Sequence, residues 1–345
     1  MAEKEDPEDW QRLWELIWSC AIGQAIHVAV QLRIPESLEA GPRSAPQLAA
    51  ETSTDPWAVE TLLRALAAFD VLRVESNECF TLTAAGRLLL QSSADSFAGE
   101  AGDFFETLYR PLGALMHMVR TGEVAFDHVY GMSFYEHMAK HPALAAFFHD
   151  AMARHAPSRY AGLSSVHDFT SVSRVIDVGG SEGALLVQIL REHPRVTGVL
   201  LDMPVAIERA RARLEAAELS DRCELIAGDF LESVPPDGDL YVLAQVLNNW
   251  RDHDARRVLM SCRSAMRDEA RLLVLESVHM PDLPMPPWRA LVSLGVMVQR
   301  GGRTRSVSQL RALFEATGFR LQGVRRLPGS ETYAIEAVPS GELGQ

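Results

Sequence analysis

The hydrophobic pattern of this 345-residue chain changes about half-way along its length. Up to about residue 165, apolar residues recur every three to four positions, which is typical of amphipathic helices. From about residue 171, short apolar runs alternate with amphipathic segments of helical length. Such alternation indicates a mostly parallel sheet with helices on both faces. The pattern therefore predicts a mainly helical domain over 1–165 and an α/β domain over 166–345.

The helical part contains one unit that can be predicted in detail. The segment "PWAVETLLRALAAFDVL", which begins at Pro56, has the apolar spacing of a helix, and Thr54 or Asp55 can cap it. The segment "LRVESNECFTLT" gives two β-prone runs around a polar turn and predicts a hairpin. Helices followed by a hairpin indicate a winged-helix unit. Such units can bind DNA, but residues 1–90 hold 7 Lys or Arg against 14 Asp or Glu, so we expect a packing or dimerisation module.

The α/β part is predicted to contain seven strands, with helices between them. Ligands in such sheets bind beyond the carboxyl ends of the strands, so polar residues at those ends are candidates for a site. The strands are predicted at 174–178, 196–202, 223–227, 239–246, 271–277, around 320–325 and 332–338, and the helices near 184–192, 205–217, 252–266 and 307–317.

The first predicted strand ends in the glycine turn "IDVGGSEG". A turn of this kind in front of a helix lets a ligand approach the backbone, although an ordinary turn would have the same composition. A dinucleotide fingerprint G-x-G-x-x-G does not fit, because Ser181 and Ala184 occupy its third and sixth positions. The candidate ligand-binding residues of this turn are Asp177, Gly179, Gly180 and Gly183.

The next two strands also end in residues that suit a nucleoside. Asp202 ends the second strand, where one carboxylate can accept hydrogen bonds from both ribose hydroxyls. After the third strand, Asp229 can accept from an exocyclic amine, and Phe230 offers a flat face for a purine. The chain has no Gly-Lys-Ser/Thr phosphate loop. We therefore expect an adenosine derivative without a polyphosphate.

These motifs, in this order, carry a resemblance to a known family. The segments "VIDVGGSEG", "LLDMP", "IAGDFLESVPPDGDLYVLAQVLNNWRDHDARRVL", "GGRTRS" and "ATGF" resemble the class I S-adenosylmethionine-dependent O-methyltransferases of the plant caffeate, hydroxyindole and bacterial polyketide (anthracycline) type. The likeness covers nearly the whole chain. It implies a Rossmann-like cofactor domain, an N-terminal domain that forms a homodimer and helps to wall the substrate pocket, and an aromatic polyketide, phenazine or phenol as substrate.

The resemblance also implies which residues bind S-adenosylmethionine and its product S-adenosylhomocysteine. Two positions depart from the family pattern, because Gln245 stands where relatives often have Arg or Lys and Ser181 replaces a common glycine. An amide at residue 245 keeps a hydrogen-bonding group but loses the charge. The residues expected at the cofactor are Asp177, Gly179, Gly180, Gly183, Asp202, Met203, Gly228, Asp229, Phe230, Gln245 and Trp250.

The largest departure concerns the catalytic base. In the family's usual "LHDW" a histidine deprotonates the acceptor hydroxyl, but here Asn248 and Asn249 precede Trp250. Of the two acids that orient that histidine in the family, Glu276 is retained and the other is Thr304. A general base is worth roughly 10²–10⁴-fold in rate, whereas positioning of the reactants can supply about 7–11 kcal/mol. We expect methyl transfer chiefly by positioning, with Asn248, Asn249 and Glu276 as the catalytic candidates.

Two alternatives remain open at this point. The fold could use S-adenosylmethionine for non-methylating chemistry such as hydroxylation, decarboxylation or cyclisation, as in a close cousin of the anthracycline-type enzymes. One of several histidines could also replace the missing base, namely His117, His149, His155, His253 or His279. Adaptable methionines suit a flat aromatic substrate, and the residues expected to line its cavity are Met116, Met152, Trp288, Met297 and Asn248.

Composition narrows the partners further. The formal net charge of −13 would repel a nucleic acid backbone. No apolar run is expected to reach the roughly 20 residues of a membrane span. The acidic start "MAEKEDPEDW" lacks the order of a signal peptide, so we expect a cytoplasmic protein. The four cysteines are scattered without metal-ligand spacing, and we expect no metal site.

Overall fold

A computed structural model describes residues 7–93, 95–280 and 284–341. The chain forms two compact units, each with its own core. The first comprises Met1–Gly113 and His141–Arg154, and the second comprises Ala114–Lys140 and His155–Gln345. The second unit therefore includes a short helical segment from the middle of the chain.

The first unit is mainly helical and contains one small antiparallel sheet, with strand order β1-β3-β2. Residues Phe105–Tyr109 of this unit form one turn of π-helix. The elements up to residue 113 are α1 (Pro7–Gln31), α2 (Ile34–Glu39), β1 (Arg43–Ser44), α3 (Ala45–Thr52), α4 (Pro56–Ala68), β2 (Leu72–Val74), β3 (Cys79–Leu82), α5 (Ala84–Arg87), α6 (Ala98–Phe104) and α7 (Arg110–Leu112).

Helix α4 and the hairpin form as the sequence predicts. The carboxylate of Asp55 caps the helix by accepting a hydrogen bond from the Ala58 N–H at 2.8 Å, and a proline occupies the first turn, where no N–H is needed. Val59, Leu63 and Leu66 are buried on one face of the helix. The hairpin of β2 and β3 follows directly, so the predicted winged-helix arrangement is confirmed.

Helix α1 presents an exposed apolar face. The rings of Trp10 and Trp14 stack with centroids 5.5 Å apart, and Trp18 lies next to them. All three tryptophans are more than half exposed. Contrary to the sequence-based expectation, Glu8–Gln31 is long and apolar enough to cross a membrane, judged by length and composition alone. A helix that packs against a second protein chain meets the same two criteria.

The second unit contains a seven-stranded sheet of order β6-β5-β4-β7-β8-β10-β9, in which β10 runs antiparallel to the other six strands. The seven predicted strands are confirmed. The strands are β4 (Arg174–Val178), β5 (Thr197–Asp202), β6 (Cys223–Ala227), β7 (Leu240–Ala244), β8 (Arg271–Glu276), β9 (Phe319–Arg326) and β10 (Tyr333–Pro339).

The helices from residue 114 onward include the four that the sequence predicts, and also α16, which it did not predict. They are α8 (Leu115–Thr121), α9 (Ala125–Tyr130), α10 (Phe134–Lys140), α11 (Pro142–Arg159), α12 (Leu163–Val166), α13 (Ala184–Glu192), α14 (Pro204–Ala216), α15 (Asp252–Ala265), α16 (Pro287–Arg300) and α17 (Val307–Glu315).

The central strands are buried on both faces, which explains why their sequences are continuous apolar runs. Ile176 and Leu243 pack into a core with α15 and α17. Val175 and Val242 face the opposite side and pack into a second core with α13 and α14. The carboxyl ends of β4, β5, β6 and β7 lie at one edge of this sheet, and the loops that follow them carry the candidate site.

Candidate active site

The turn after β4 can form only because it is rich in glycine. Gly179 and Gly183 have φ of 71° and 73°, which L-residues rarely adopt. A Cβ on Gly179 would lie 3.2 Å from the Phe230 ring, and one on Gly180 would lie 2.3 Å from the Asp177 carboxylate. The turn is therefore packed against the Asp177 side chain and the Phe230 ring.

Asp202 joins the ends of β4 and β5. Its carboxylate accepts a hydrogen bond from the Ser181 N–H at 2.7 Å and another from the Met203 N–H at 2.7 Å. Burial raises the pKa of Asp202. Ser181 has φ 54°, a left-handed backbone conformation that favours glycine, which is the residue that the resemblance implies at this position. A carboxylate has about four acceptor sites, so Asp202 retains capacity for ribose hydroxyls.

Asp177 lies beneath the turn, where it is 1% exposed. Neither carboxylate oxygen has a hydrogen-bond partner within the described ranges of the chain. Burial, and after it repulsion from Asp202, raises the pKa of Asp177 to about 7. The geometry brings this side chain against Gly180, so its predicted contact with a cofactor remains a prediction.

An aromatic wall stands beside the turn. Phe230 and Trp250 meet edge to face with ring centroids 6.1 Å apart, and Tyr135 stacks on Trp250 at 6.0 Å. The Gly228 N–H donates to the Asp202 carbonyl at 3.0 Å. Asp229 is exposed, and its carboxylate accepts from the Leu231 N–H at 2.8 Å. The structure thus places residues from the carboxyl ends of β4, β5 and β6 next to one another.

The loop after β7 carries the two asparagines in a short 3₁₀ turn, Leu247–Asn249. It begins at Gln245, which has φ 56° and whose backbone N–H donates to the Leu275 carbonyl at 2.9 Å. The side-chain amide of Asn248 donates to the Gln245 Oε1 at 2.9 Å. The Oδ1 of Asn248 is buried and has no partner within the part of the chain that the structure describes.

Asn249 is bonded quite differently. Its Nδ2 donates to the Gln245 carbonyl at 2.9 Å, and its Oδ1 accepts from Arg300 Nη1 at 2.9 Å. Both ends of this amide are therefore used by the protein. Of the two adjacent asparagines, Asn248 is the one with an acceptor to offer.

Glu276 supports the loop from below. It is 1% exposed, and its carboxylate accepts from the Asn248 N–H at 2.9 Å. Burial raises the pKa of Glu276 to about 7, although the donated N–H bonds and the nearby Arg305 oppose this shift. The retained acid thus holds the backbone of Asn248, whereas the resemblance implies that it orients a histidine ring.

Sequence reasoning missed Arg305, which is 1% exposed and crosses under the same loop. Its guanidinium donates to the carbonyls of Leu247 at 2.7 Å and Trp250 at 2.8 Å, and it pairs with Asp252 at 2.9 Å. The available signal in the sequence was its position in the string "GGRTRS", which the resemblance already singles out. A buried charge requires several acceptors, and backbone carbonyls supply them here.

Gly302 and Thr304, which are close to Arg305 in the sequence, also contact neighbouring segments of the chain. A Cβ on Gly302 would lie 2.0 Å from the Asn248 carbonyl, so the glycine lets the two segments touch. The hydroxyl of Thr304 pairs with that of Ser293 on α16 at 2.7 Å. A threonine cannot act as the second orienting acid, and here its hydroxyl is used to hold the helix.

The predicted substrate-lining residues fall in different units. Met116 and Trp288 are 62% and 53% exposed, and Met297 is half-buried, all in the second unit. Met152 lies on α11 in the first unit. Among the histidines, His253 is exposed beside Asp254, and His117 pairs with Glu123. The side chain of His149 lies outside the described residues. The cavity lining remains a prediction.

Comparison with known proteins bears on both units. Residues 109–320 match a model of an O-methyltransferase domain, and residues 14–92 match an O-methyltransferase dimerisation domain. The chain is 36% identical over 335 residues to an O-demethylpuromycin-O-methyltransferase of Streptomyces alboniger, which covers 95% of this chain and 89% of that protein. The predicted family and the predicted dimerisation module are confirmed.

Solved structures agree with this result. The mitomycin 7-O-methyltransferase MmcR superposes with a TM-score of 0.92 at 31% identity, covering 96% of this chain and 98% of that one. The O-methyltransferase NcsB1 from neocarzinostatin biosynthesis, solved with S-adenosylmethionine and 2-hydroxy-5-methyl naphthoic acid, gives a TM-score of 0.82 at 27% identity, with 92% and 95% coverage.

One relative has a different printed activity. The aclacinomycin 10-hydroxylase RdmB of Streptomyces purpurascens is 32% identical over 321 residues, which is 90% of this chain and 84% of that protein. The same fold is therefore associated with a reaction other than methyl transfer. The chemistry at the acceptor must be argued from the loop that carries Asn248.

Proposed function

The chain belongs to the O-methyltransferase family, and from this premise we propose that it methylates a hydroxyl group of an aromatic natural product. The methyl donor is S-adenosylmethionine, and the second product is S-adenosylhomocysteine. The acceptor belongs to the class of polyketides, phenazines and phenols. The protein works as a homodimer, which the matched dimerisation domain and the exposed apolar face of α1 support.

The unpaired Oδ1 of Asn248 is the observation that carries this proposal. Gln245 holds the Nδ2 end of the amide, so the acceptor end is turned away from it and stays available. A buried acceptor without a partner is costly to keep. A neutral acceptor hydroxyl that donates to this oxygen would remove the cost and would be held in a fixed orientation. Its proton would then pass to water, and the ionised oxygen would accept the methyl group.

An amide cannot remove the proton from that hydroxyl, so positioning must lower the barrier. General-base assistance contributes roughly 10²–10⁴-fold, or about 3–5 kcal/mol. Orientation of the two reactants can contribute about 7–11 kcal/mol. Positioning is thus the larger effect, and an acidic phenol that is already partly ionised needs less help from a base. Asn248 orients the acceptor, and Glu276 and Gln245 are positioning residues that act through Asn248.

The same geometry supports a binding site for S-adenosylmethionine. Asp202 has acceptor capacity for the ribose hydroxyls, and the wall of Phe230 and Trp250 suits the adenine and the aromatic acceptor. Asp202→Ala is expected to weaken donor binding by about 1.5–3 kcal/mol, because it removes a charged acceptor. Calorimetry with S-adenosylmethionine measures this loss.

The test uses the purified full chain with S-adenosylmethionine and a panel of aromatic hydroxyl compounds of graded acidity. Asn248→Ala should lower kcat by about tenfold, which is ~1.4 kcal/mol. The midpoint of the pH–rate profile should follow the pKa of each acceptor, and the rate should rise until that pKa is passed. Asn77→Ala in the exposed hairpin is the control and should leave the profile unchanged.

Two outcomes would contradict the proposal. A midpoint that stays fixed across acceptors and disappears with one histidine would mean that a substitute base exists. A product that gains oxygen, with no S-adenosylhomocysteine formed, would favour the alternative of non-methylating chemistry, which the relative named as a 10-hydroxylase keeps as the second candidate.

A further inference from the structure

A cluster of three metal-ligand side chains lies in the second unit, on the turn between α8 and α9. His117 is on α8, Glu123 follows the left-handed Gly122 that ends this helix, and His128 is on α9. The three residues fall within twelve positions of the sequence, so a single tight turn brings them together. None of them belongs to the cofactor edge or to the loop of Asn248.

The donor atoms already stand close to one another. His117 Nε2 and Glu123 Oε2 are 2.5 Å apart, and His128 Nδ1 is 3.8 Å from the same oxygen. The three atoms lie within 4.8 Å of one another. Zinc bonds imidazole nitrogen at about 2.0–2.1 Å in tetrahedral geometry, which places its ligand atoms about 3.3 Å apart. An imidazole lone pair lies in the plane of its ring, so one of the two stacked rings must rotate about its side-chain bonds for both nitrogens to bind one ion.

The surroundings favour a cation. The rings of His117 and His128 stack with centroids 3.7 Å apart and 17° between their planes, and one nitrogen of each ring lies within 4 Å of the same Glu123 oxygen. A carboxylate that faces two imidazole nitrogens offers a divalent ion one charged and two neutral donor atoms.

We propose that His117, Glu123 and His128 bind one divalent transition-metal ion, with zinc as the preferred ion and water as its remaining ligand. The two imidazoles and one carboxylate match the ligand types that zinc selects. The three side chains are 30%, 45% and 54% exposed, in the order His117, His128 and Glu123, so the site is open to solvent on one side.

The position of this zinc site implies a structural role. Arg251 donates a hydrogen bond to the carbonyl of Gly122, and Arg251 directly follows Trp250 on the loop that carries the asparagines. A metal ion that fixes the α8–α9 turn therefore also fixes the carbonyl that anchors this loop. The proposal does not rest on the identity of the acceptor or on methyl transfer.

Calorimetric titration of tag-free, chelator-treated full chain with zinc chloride tests the site. The wild type should bind one zinc ion per chain, and His117→Ala and His128→Ala should each weaken binding at least about 100-fold. Loss of a ligand should exceed the 10–100-fold that is lost when only a supporting residue is removed. His253→Ala is the matched control, because this histidine is also next to a carboxylate but is 82% exposed.

Two further readouts keep the result independent of folding. Zinc should raise the melting temperature of the wild type and of His253→Ala but not that of the His117→Ala/His128→Ala double variant. Cobalt should give visible absorption with the wild type and none with the double variant. A wild type that binds no zinc, or a double variant that binds it as tightly as the wild type, would overturn the proposal.

Discussion

The turn after β4 and the loop after β7 are held in place by opposite means. At the turn, Gly179 and Gly180 leave space that neighbouring side chains fill. At the loop, the backbone is held by donors and acceptors that reach it from elsewhere, chiefly Arg305 and Glu276. Each segment lies over a buried acid whose pKa is raised to about 7, namely Asp177 and Glu276.

This difference explains which part of the site tolerates change. A segment that depends on small residues keeps its shape only while nothing is added to it. A segment held by distant side chains can exchange its own residues, provided that the contacts to its backbone remain. Asn248 and Asn249, at positions where the resemblance implies a histidine and an acid, are compatible with such a scaffold.

The largest expected effect comes from removing the main support of the loop. Arg305→Ala leaves the carbonyls of Leu247 and Trp250 without their donor, so we expect a loss of about 3–4 kcal/mol in the free energy of unfolding. Urea denaturation measures this loss. Arg303→Ala is the matched control, because Arg303 also pairs with Asp252 but is half exposed, and should cost less than about 1 kcal/mol. Equal losses in the two variants would refute the support that we assign to Arg305.

Adding one methyl group at Gly180 should distort the turn after β4. Gly180→Ala places a Cβ 2.3 Å from the Asp177 carboxylate and 2.5 Å from Leu200, and we expect a cost of about 2–3 kcal/mol with weaker donor binding. Calorimetry with S-adenosylmethionine and thermal unfolding report the two effects. Gly323→Ala, where nothing lies within 4 Å of the added atom, is the control and should behave as the wild type. Normal donor affinity in Gly180→Ala would contradict the packing argument.

Replacing each of the two asparagines in turn should distinguish a contribution to stability from a contribution to catalysis. Asn249→Ala loses bonds to Gln245 and Arg300, so we expect it to lower the free energy of unfolding by about 1–2 kcal/mol. Asn248→Ala loses one side-chain bond and should lower stability less but turnover more. Denaturation and steady-state kinetics on both variants give the comparison. If Asn249→Ala lowers turnover more than Asn248→Ala, the assignment of the acceptor contact to Asn248 is wrong.

The smallest effect concerns pH. The pKa of Asp177 is raised from 3.8 to about 7 in the folded protein, so the native state holds a proton that the unfolded chain has released. Its contribution to stability is present below the unfolded pKa and is lost as pH rises from about 4 to 7. Asp177→Asn should flatten this slope, with a gain at pH 6 relative to pH 5 on the order of 1 kcal/mol. Unfolding curves at both pH values measure it, and an unchanged slope would show that Asp177 does not titrate there.

Much of the architecture followed from local pattern. The strand Arg174–Val178 and the helix Ala184–Glu192 coincide with the predicted ranges, because apolar runs and amphipathic segments encode burial directly. Helix α16 was missed because its sequence, after a run of prolines, lies between motifs and has exposed apolar positions such as Leu291 and Val292. The prediction that no segment has the length and apolar composition of a membrane span was also wrong, because α1 meets both criteria.

The sequence by itself determined the fold class, the family and the order of the cofactor motifs, since all of these lie in short segments whose residues act on their neighbours. Only the tertiary structure decided which asparagine has an acceptor to offer. Asn249 is paired with Arg300 from 51 positions away, and the loop is held by Glu276 and Arg305 from 28 and 58 positions away. Identical side chains at adjacent positions differ only in the partners that folding brings to them, and sequence spacing carries no information about such distant contacts.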